Sequence, residues 1–477
     1  MRVGAWAGLV LLVAAHTAQS QTLPPEVQRA LRNAGVPPDA LSVHLLDTHG
    51  GRRVLQWQDA RAVNPASLTK LLTTAAALER LGPAYTWSTP VWLAGPVNAS
   101  GVLEGSLHIK GSGDPKLVLE RVWLLLRQVQ QRGVREIRGD IVLDNSAFAV
   151  PETSPAEFDG EPTRPYNVRP AALLFNFRSS VYTFTPDVAA GVARVSVEAA
   201  PAGLVADRSV PLSNANSPCE DWRGALKAGF EPGRTRFAGS YATACGEQSW
   251  PVADPQPATF EARLLEALWR EMGGTLHGSV REGPAPETKP SFELRSPPLA
   301  ELIRDINKYS NNVMAQQLFL TLAREANPRQ PATPESARET LARWLVERTG
   351  SAGDEVVLDN GSGLSRQTRL SAARLARVLQ LAFEGPAMSE LMSSLPVSGL
   401  DGTMRRSRAA PGRAHLKTGS LRDVAGVAGY VLSNSGRRYV LVAIVNHPQA
   451  NAARPALDAL VQWTLRDAPA HRVSAEP

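Results

Sequence analysis

Asn64-Pro65-Ala66-Ser67-Leu68-Thr69-Lys70-Leu71-Leu72 is the stretch on which the fold turns. Apolar residues recur at helical spacing through Leu68, Leu71, Leu72, Ala75 and Leu78, and the run stops at Gly82-Pro83. Pro65 ahead of the run and Gly-Pro behind it bound a helix that starts at about Ser67. Ser67 and Lys70 stand three positions apart, so they share one helical face and the amine reaches the hydroxyl. A serine hydroxyl attacks a carbonyl when a base takes its proton. A lysine can be that base once burial and nearby positive charge depress its pKa. The start of a helix also points free N–H groups at developing negative charge. Taken alone, the tetrad reads more simply as a serine cap beside a solvated lysine, so the chemistry needs partners elsewhere.

Upstream, apolar runs at 41–46 and 53–58 flank Thr48-His49-Gly50-Gly51 and predict a β-hairpin. Downstream, from Tyr85 to about Pro290, short β-like segments (103–110, 136–143, 193–198) are punctuated by Gly, Pro, Asn and Asp, with one helical piece at 259–272. After Pro297 helical periodicity returns at 299–307, 313–326, 335–348 and 370–383. Strands are predicted at 414–418, 425–432 and 439–446, the last two joined by Ser433-Asn434-Ser435-Gly436, and a closing helix at 453–465. Strands from both ends of the chain can share one antiparallel sheet, from which the middle projects. The expected class is α/β (α+β), with an antiparallel sheet flanked by helices and a mostly β insertion. No internal repeat or low-complexity segment interrupts this order.

Two further motifs join the tetrad. Ser310-Asn311-Asn312 opens the helix expected at 313–326 and can offer a hydroxyl and an amide to a cleft, although plain N-capping explains it too. Lys417-Thr418-Gly419-Ser420 closes one predicted strand before another. Lys417 can hold a carboxylate, and Gly419 lets a substrate backbone approach an edge strand. The order Ser-x-x-Lys, Ser-x-Asn, Lys-Thr-Gly, on helix start, helix start and strand, is the set shared by β-lactamases and penicillin-binding proteins.

In these three motifs the chain resembles the penicillin-binding family. Its long middle portion between Ser67 and Ser310 is similar to the class C low-molecular-mass members, the D-alanyl-D-alanine carboxypeptidase/endopeptidases of the penicillin-binding protein 4 type. Gly111-Ser112-Gly113-Asp114-Pro115, Asp359-Asn360-Gly361-Ser362-Gly363-Leu364-Ser365-Arg366 and Leu400-Asp401-Gly402-Thr403-Met404 look like that group as well. The resemblance implies a penicillin-binding/β-lactamase-like domain over 21–85 and 291–477. It also implies an inserted region over 86–290 made of two β-rich domains, one nested in the other. It implies that Ser67 forms an acyl-enzyme with the penultimate D-Ala carbonyl and that Lys70 is its base. Ser310 would relay a proton to the leaving group, and Asn312 would orient Lys70 and bind the substrate amide. Lys417, Thr418 and Ser420 would bind the terminal carboxylate beside Gly419, and the N–H groups of Ser67 and Ser420 would form the oxyanion hole. The implied partners are peptidoglycan peptide stems, with β-lactams as covalent inhibitors, and the implied cofactor set is none. Asp114 and the 359–366 loop suggest only turn formation.

The rest of the chain sets the context. Arg2, the apolar run 4–15 and Ala18-Gln19-Ser20 predict a signal peptide over 1–20, cleaved near Ser20/Gln21, hence an exported, periplasmic protein. In an oxidising compartment Cys219 and Cys245 suggest one disulfide, two buried thiols being the alternative. A length of 477 residues with 43% hydrophobic and 20% charged residues fits two or three folded domains. The net charge of +6 is spread without a basic run, so a solvated surface is expected, with no nucleic-acid binding and at most peripheral membrane contact. No His/Cys/Glu spacing predicts zinc, and no glycine-rich phosphate loop is present. His415, two residues before Lys417, is expected to be structural. A serine β-lactamase on the same fold is the rival reading, and a non-catalytic wall-binding scaffold a more distant one. No convincing Glu-x-x-x-Asn segment between Asn312 and Lys417 supports the first, and the intact motifs disfavour the second.

Overall fold

The computed structural model describes residues 22–214, 217–350 and 355–467. The expected signal peptide, 1–20, lies outside them.

Five antiparallel strands form the central sheet in the order Arg53–Trp57, Leu41–Asp47, Arg438–Asn446, Val424–Leu432, Ala414–Leu421. Both chain ends therefore meet in one sheet, Leu41–Asp47 lying in full register against Arg438–Asn446. The inner strands Val424–Leu432 and Arg438–Asn446 read as near-continuous apolar runs because both faces are covered. Val440, Val442 and Ile444 point into one core with the helix Thr69–Arg80. Leu441, Ala443 and Val445 point into a second core with the helices Pro25–Asn33 and Arg454–Leu465. On the first side the helices Thr69–Arg80, Leu299–Lys308, Asn312–Ala326, Pro334–Thr349 and Ala372–Glu384 pack together. In Thr69–Arg80 every residue from Thr69 to Leu78 is buried, so the chemistry it carries stands at the centre of this unit.

The middle of the chain leaves along Ser88–Ala94 and returns along Phe292–Arg295, and these two strands pair with one another. They belong to a mixed five-stranded sheet with Ser106–Lys110, Ile141–Asp144 and Val280–Glu282. Leu119–Gln131 and Phe260–Glu271 contribute Val122, Leu125, Leu126, Val129, Leu264 and Leu268 to the core of that sheet. The helix Leu119–Gln131 is not among the expected elements. Its Val-Trp-Leu-Leu-Leu run suits a buried strand as well as a helix, and periodicity alone does not separate the two. Within this segment the chain builds a further four-stranded sheet, Ser209–Pro211, Val192–Glu198, Ser179–Asp187 and Gln248–Ala253. Its core is aromatic, with Phe184 against Tyr241 and Phe237, and a disulfide joins Cys219 to Cys245. Among the described residues no helix is long and apolar enough to cross a membrane.

Candidate active site

Ser67 lies in a single 3-10 turn, Ala66–Leu68, immediately before the helix Thr69–Arg80. The turn is held from several sides. Asn64 Oδ1 accepts from the Ala66 N–H at 2.9 Å, and Asn64 Nδ2 donates to the Ser365 carbonyl at 2.9 Å. The Asn446 side chain bonds both backbone groups of Asn64, at 2.8 and 2.9 Å. These bonds keep Ala66 at φ +47°, a left-handed conformation that a non-glycine residue adopts only where its surroundings impose it.

Lys70 is fully buried, and its Nζ lies 3.0 Å from Ser67 Oγ, 2.6 Å from Asn312 Oδ1 and 2.6 Å from the Ser362 carbonyl. None of these partners is a carboxylate. Burial first, and the charge of Lys417 second, hold the Lys70 amine well below the ordinary lysine range. A neutral amine has two N–H donors and one lone pair. The two carbonyl oxygens take the donors, which leaves the lone pair for the Ser67 hydroxyl. The geometry thus suits proton removal from Ser67.

Lys417, also fully buried, donates to Ser310 Oγ at 2.9 Å and to the Thr418 carbonyl at 2.8 Å, and burial lowers its pKa to about 7. Ser310 holds its position at φ +58°, after the helix Leu299–Lys308. Asn311, not Ser310, caps the next helix, accepting from the Met314 N–H at 3.0 Å. The Ser310 hydroxyl is thereby left to face Lys417, and Asn312 reaches Lys70. Three motifs from distant parts of the sequence form one cluster around two buried lysine amino groups.

Ala414–Leu421 is the outer strand of the sheet, and past an isolated bridge at His415 it pairs on one side only. An edge with unpaired backbone groups accepts an extended peptide as a further strand. Gly419 serves a different approach from the one expected. A Cβ there would stand 2.8 Å from the Pro65 carbonyl and 3.1 Å from Leu68 Cγ, so its bareness lets the strand close on the nucleophile turn. Thr418 Oγ1 lies 2.7 Å from Thr403 Oγ1, and Ser420 Oγ accepts from Arg454 at 2.8 Å. His415 Nδ1 lies 3.2 Å from the Met392 carbonyl, and burial lowers its pKa. Among the described residues no group of three potential ligands forms a metal site.

Several contributors escaped sequence reasoning. The Ser362 carbonyl that receives Lys70 carries no residue-type signal, although its loop stood out as a motif. Asn360 builds that loop, accepting from the Ser362 N–H and hydroxyl and donating to the Leu364 carbonyl. Thr73 Oγ1 ties the loop to the nucleophile helix through the Gly361 carbonyl at 2.7 Å.

Comparison with known proteins bears on the family and the fold. A model of the D-Ala-D-Ala carboxypeptidase 3 (S13) family matches residues 25–467. The chain is 26% identical to a D-alanyl-D-alanine carboxypeptidase of an Actinomadura species, across 97% of this chain and 87% of that one. It is 25% identical to the D-alanyl-D-alanine carboxypeptidase DacB of Haemophilus influenzae, across 80% of each. The fold is similar to the crystal structure of penicillin binding protein 4 (dacB) from Haemophilus influenzae, with a TM-score of 0.72 at 21% identity, covering 91% of this chain and 99% of that one.

Proposed function

Because this chain belongs to the D-Ala-D-Ala carboxypeptidase 3 (S13) family, we propose that its serine-type carboxypeptidase reaction runs through Ser67. In this reading neutral Lys70 takes the Ser67 proton as Oγ attacks the carbonyl of the penultimate D-alanine. The N–H groups of Ser67 and Ser420 hold the oxyanion. Collapse of the tetrahedral adduct breaks the peptide bond, and the departing amine takes a proton from Ser310, which Lys417 re-supplies. Lys417 recovers that proton from protonated Lys70 through the cluster, leaving Lys70 neutral again and Lys417 cationic. The terminal carboxylate lies on Lys417, Thr418 and Ser420. Water, deprotonated by Lys70, then attacks the acyl-enzyme, releasing the shortened peptide and returning the proton to Ser67.

The observation that carries this reading is the Lys70 amine, buried without a counter-ion among the described residues, with Ser67 Oγ at 3.0 Å. In a β-lactam the leaving nitrogen stays tethered to the acyl group, so the same attack traps the enzyme. The substrates would be peptidoglycan stem peptides and their crosslinks, met outside the cytoplasm after export, with the inserted region 86–290 projecting from the catalytic unit.

The test is release of D-alanine from a pentapeptide ending in D-Ala-D-Ala, together with labelling by a fluorescent penicillin. Ser67→Ala is expected to abolish both while leaving the thermal unfolding transition in place. Labelling that persists in Ser67→Ala would remove Ser67 from the nucleophile's role. Sustained turnover of a chromogenic cephalosporin with no D-alanine release would replace the peptidase with a β-lactamase.

A further inference from the structure

Next to Ser310 the chain carries exposed side chains that the acyl-transfer steps do not use. Tyr309, the residue before Ser310, is 69% exposed, and Leu400 is 63% exposed. Large apolar side chains left this open beside a site carry information that scattered ones do not. The loop holding Leu400 is tied to the reacting groups at both ends. Asp401 Oδ2 accepts from Lys308 Nζ at 2.5 Å, and a Cβ on Gly402 would stand 2.5 Å from the Lys308 carbonyl. Thr403 Oγ1 lies 2.7 Å from Thr418 Oγ1. The loop therefore runs from the turn that presents Ser310 to the strand that would hold the substrate carboxylate. Arg405, Arg406 and Arg408 follow it, all exposed, and their side chains make no ion pair or hydrogen bond among the described residues.

We propose that this rim binds the acidic peptide beyond the scissile bond, so that Tyr309, Leu400, Arg405, Arg406 and Arg408 select crosslinked wall peptide over a free D-alanine end. The proposal rests on the acyl-transfer reading above. In an uncrosslinked stem only one D-alanine lies on the leaving side, and its carboxylate reaches no further than Lys417 and Thr418. In a crosslink the leaving amine belongs to a diamino acid of a second stem. That stem continues past Thr418 with aliphatic side chains and free carboxylates. Exposed apolar groups, and three unpaired guanidinium groups that follow Leu400 on the same segment, complement such a peptide, since guanidinium binds carboxylate through paired hydrogen bonds.

The experiment compares kcat/KM for a crosslinked muropeptide dimer with kcat/KM for D-alanine release from a monomeric pentapeptide, using the full chain. In the triple variant Arg405→Ser/Arg406→Ser/Arg408→Ser, dimer cleavage is expected to fall about tenfold through KM, the sum of three exposed ion pairs. D-alanine release should move less than about twofold, which also shows that the variant is folded. Tyr309→Ser with Leu400→Ser should lower the same ratio, and Tyr309→Phe should restore it. Raising the salt concentration should erode the dimer preference of the wild type and leave that of the arginine variant flat. Equal falls on both substrates, or an unchanged ratio, would overturn the rim alone. Loss of anionic-vesicle binding in the triple variant with an unchanged ratio would make the patch a membrane-docking surface and overturn the proposal. A wild-type protein inactive on both substrates would instead overturn the acyl-transfer reading.

Discussion

Gly363→Ala is the substitution that most directly tests whether the 359–366 loop sets the nucleophile's geometry. Gly363 sits at φ +78°, and a Cβ there would stand 1.9 Å from the Ala66 carbonyl oxygen and 3.0 Å from the Ser67 nitrogen. Both contacts are backbone, so no side chain can swing away. The loop cannot retreat freely either, because Asn360 braces it and a Cβ on Gly361 would already stand 2.6 Å from Phe319 Cβ. Relief therefore displaces the Ser67 turn by about 1 Å, and a misplacement of that size costs about 100-fold in rate. Acylation by a fluorescent penicillin, followed as a second-order rate, reads this loss. The control is Gly436→Ala, at φ +87° with nothing within 4 Å. Both variants carry left-handed strain of about 1–3 kcal/mol in thermal unfolding, and only Gly363→Ala should lose acylation. If Gly363→Ala acylates within about threefold of the wild type while Gly436→Ala behaves as expected, the loop does not position the turn.

Three other outcomes follow from the buried lysines and the disulfide. In the proposed reaction proton removal needs neutral Lys70, so acylation should rise as pH climbs through its depressed pKa. Carboxylate binding needs cationic Lys417, so kcat/KM should fall as pH passes about 7, and a substrate lacking the carboxylate should lose that descending limb. Because the folded pKa of Lys417 lies below its ordinary value of 10.5, its charged form opposes folding, most strongly below about pH 7. Lys417→Met should accordingly raise stability by about 1–4 kcal/mol at pH 6 in denaturant melts, a gain that fades toward pH 10. The same variant should lose about 100-fold in acylation by a carboxylate-bearing β-lactam. No gain at pH 6 would show that the site already compensates the charge. Replacing Cys219 and Cys245 by serine should cost about 3 kcal/mol, seen as faster proteolysis within 179–253, with penicillin labelling unchanged. Loss of labelling would mean that the small aromatic sheet supports the catalytic unit.

Much of this arrangement was legible because local physics dominates it. The strands at 424–432 and 438–446 and the helices at 299–308 and 312–326 follow from uninterrupted or periodic apolar residues and from their caps. Leu119–Gln131 failed that reading because its apolar run fits two periods, and contact with the mixed sheet decides between them. Ser67, Lys70, Ser310, Asn312 and Lys417 could be listed from their motifs, since each motif pairs a reactive side chain with the start of an element. Ser362, Gly363 and Thr403 could not be given a task, since a carbonyl oxygen, a bare Cα and a bridging hydroxyl act only through what lies opposite them.

By itself the sequence determined which side chains could react: a serine and a lysine three apart at a helix start, a second serine with an asparagine, and a lysine on a strand. Residue type and local periodicity are enough for that. The state of those groups was decided only in three dimensions. Lys70 and Lys417 are two ordinary lysines in the sequence, and folding buries both with no carboxylate ion-paired to either among the described residues. Desolvation, with the charge of Lys417 added at Lys70, then favours the neutral amine, and that shift is a property of the packed sheet, helix and loop together.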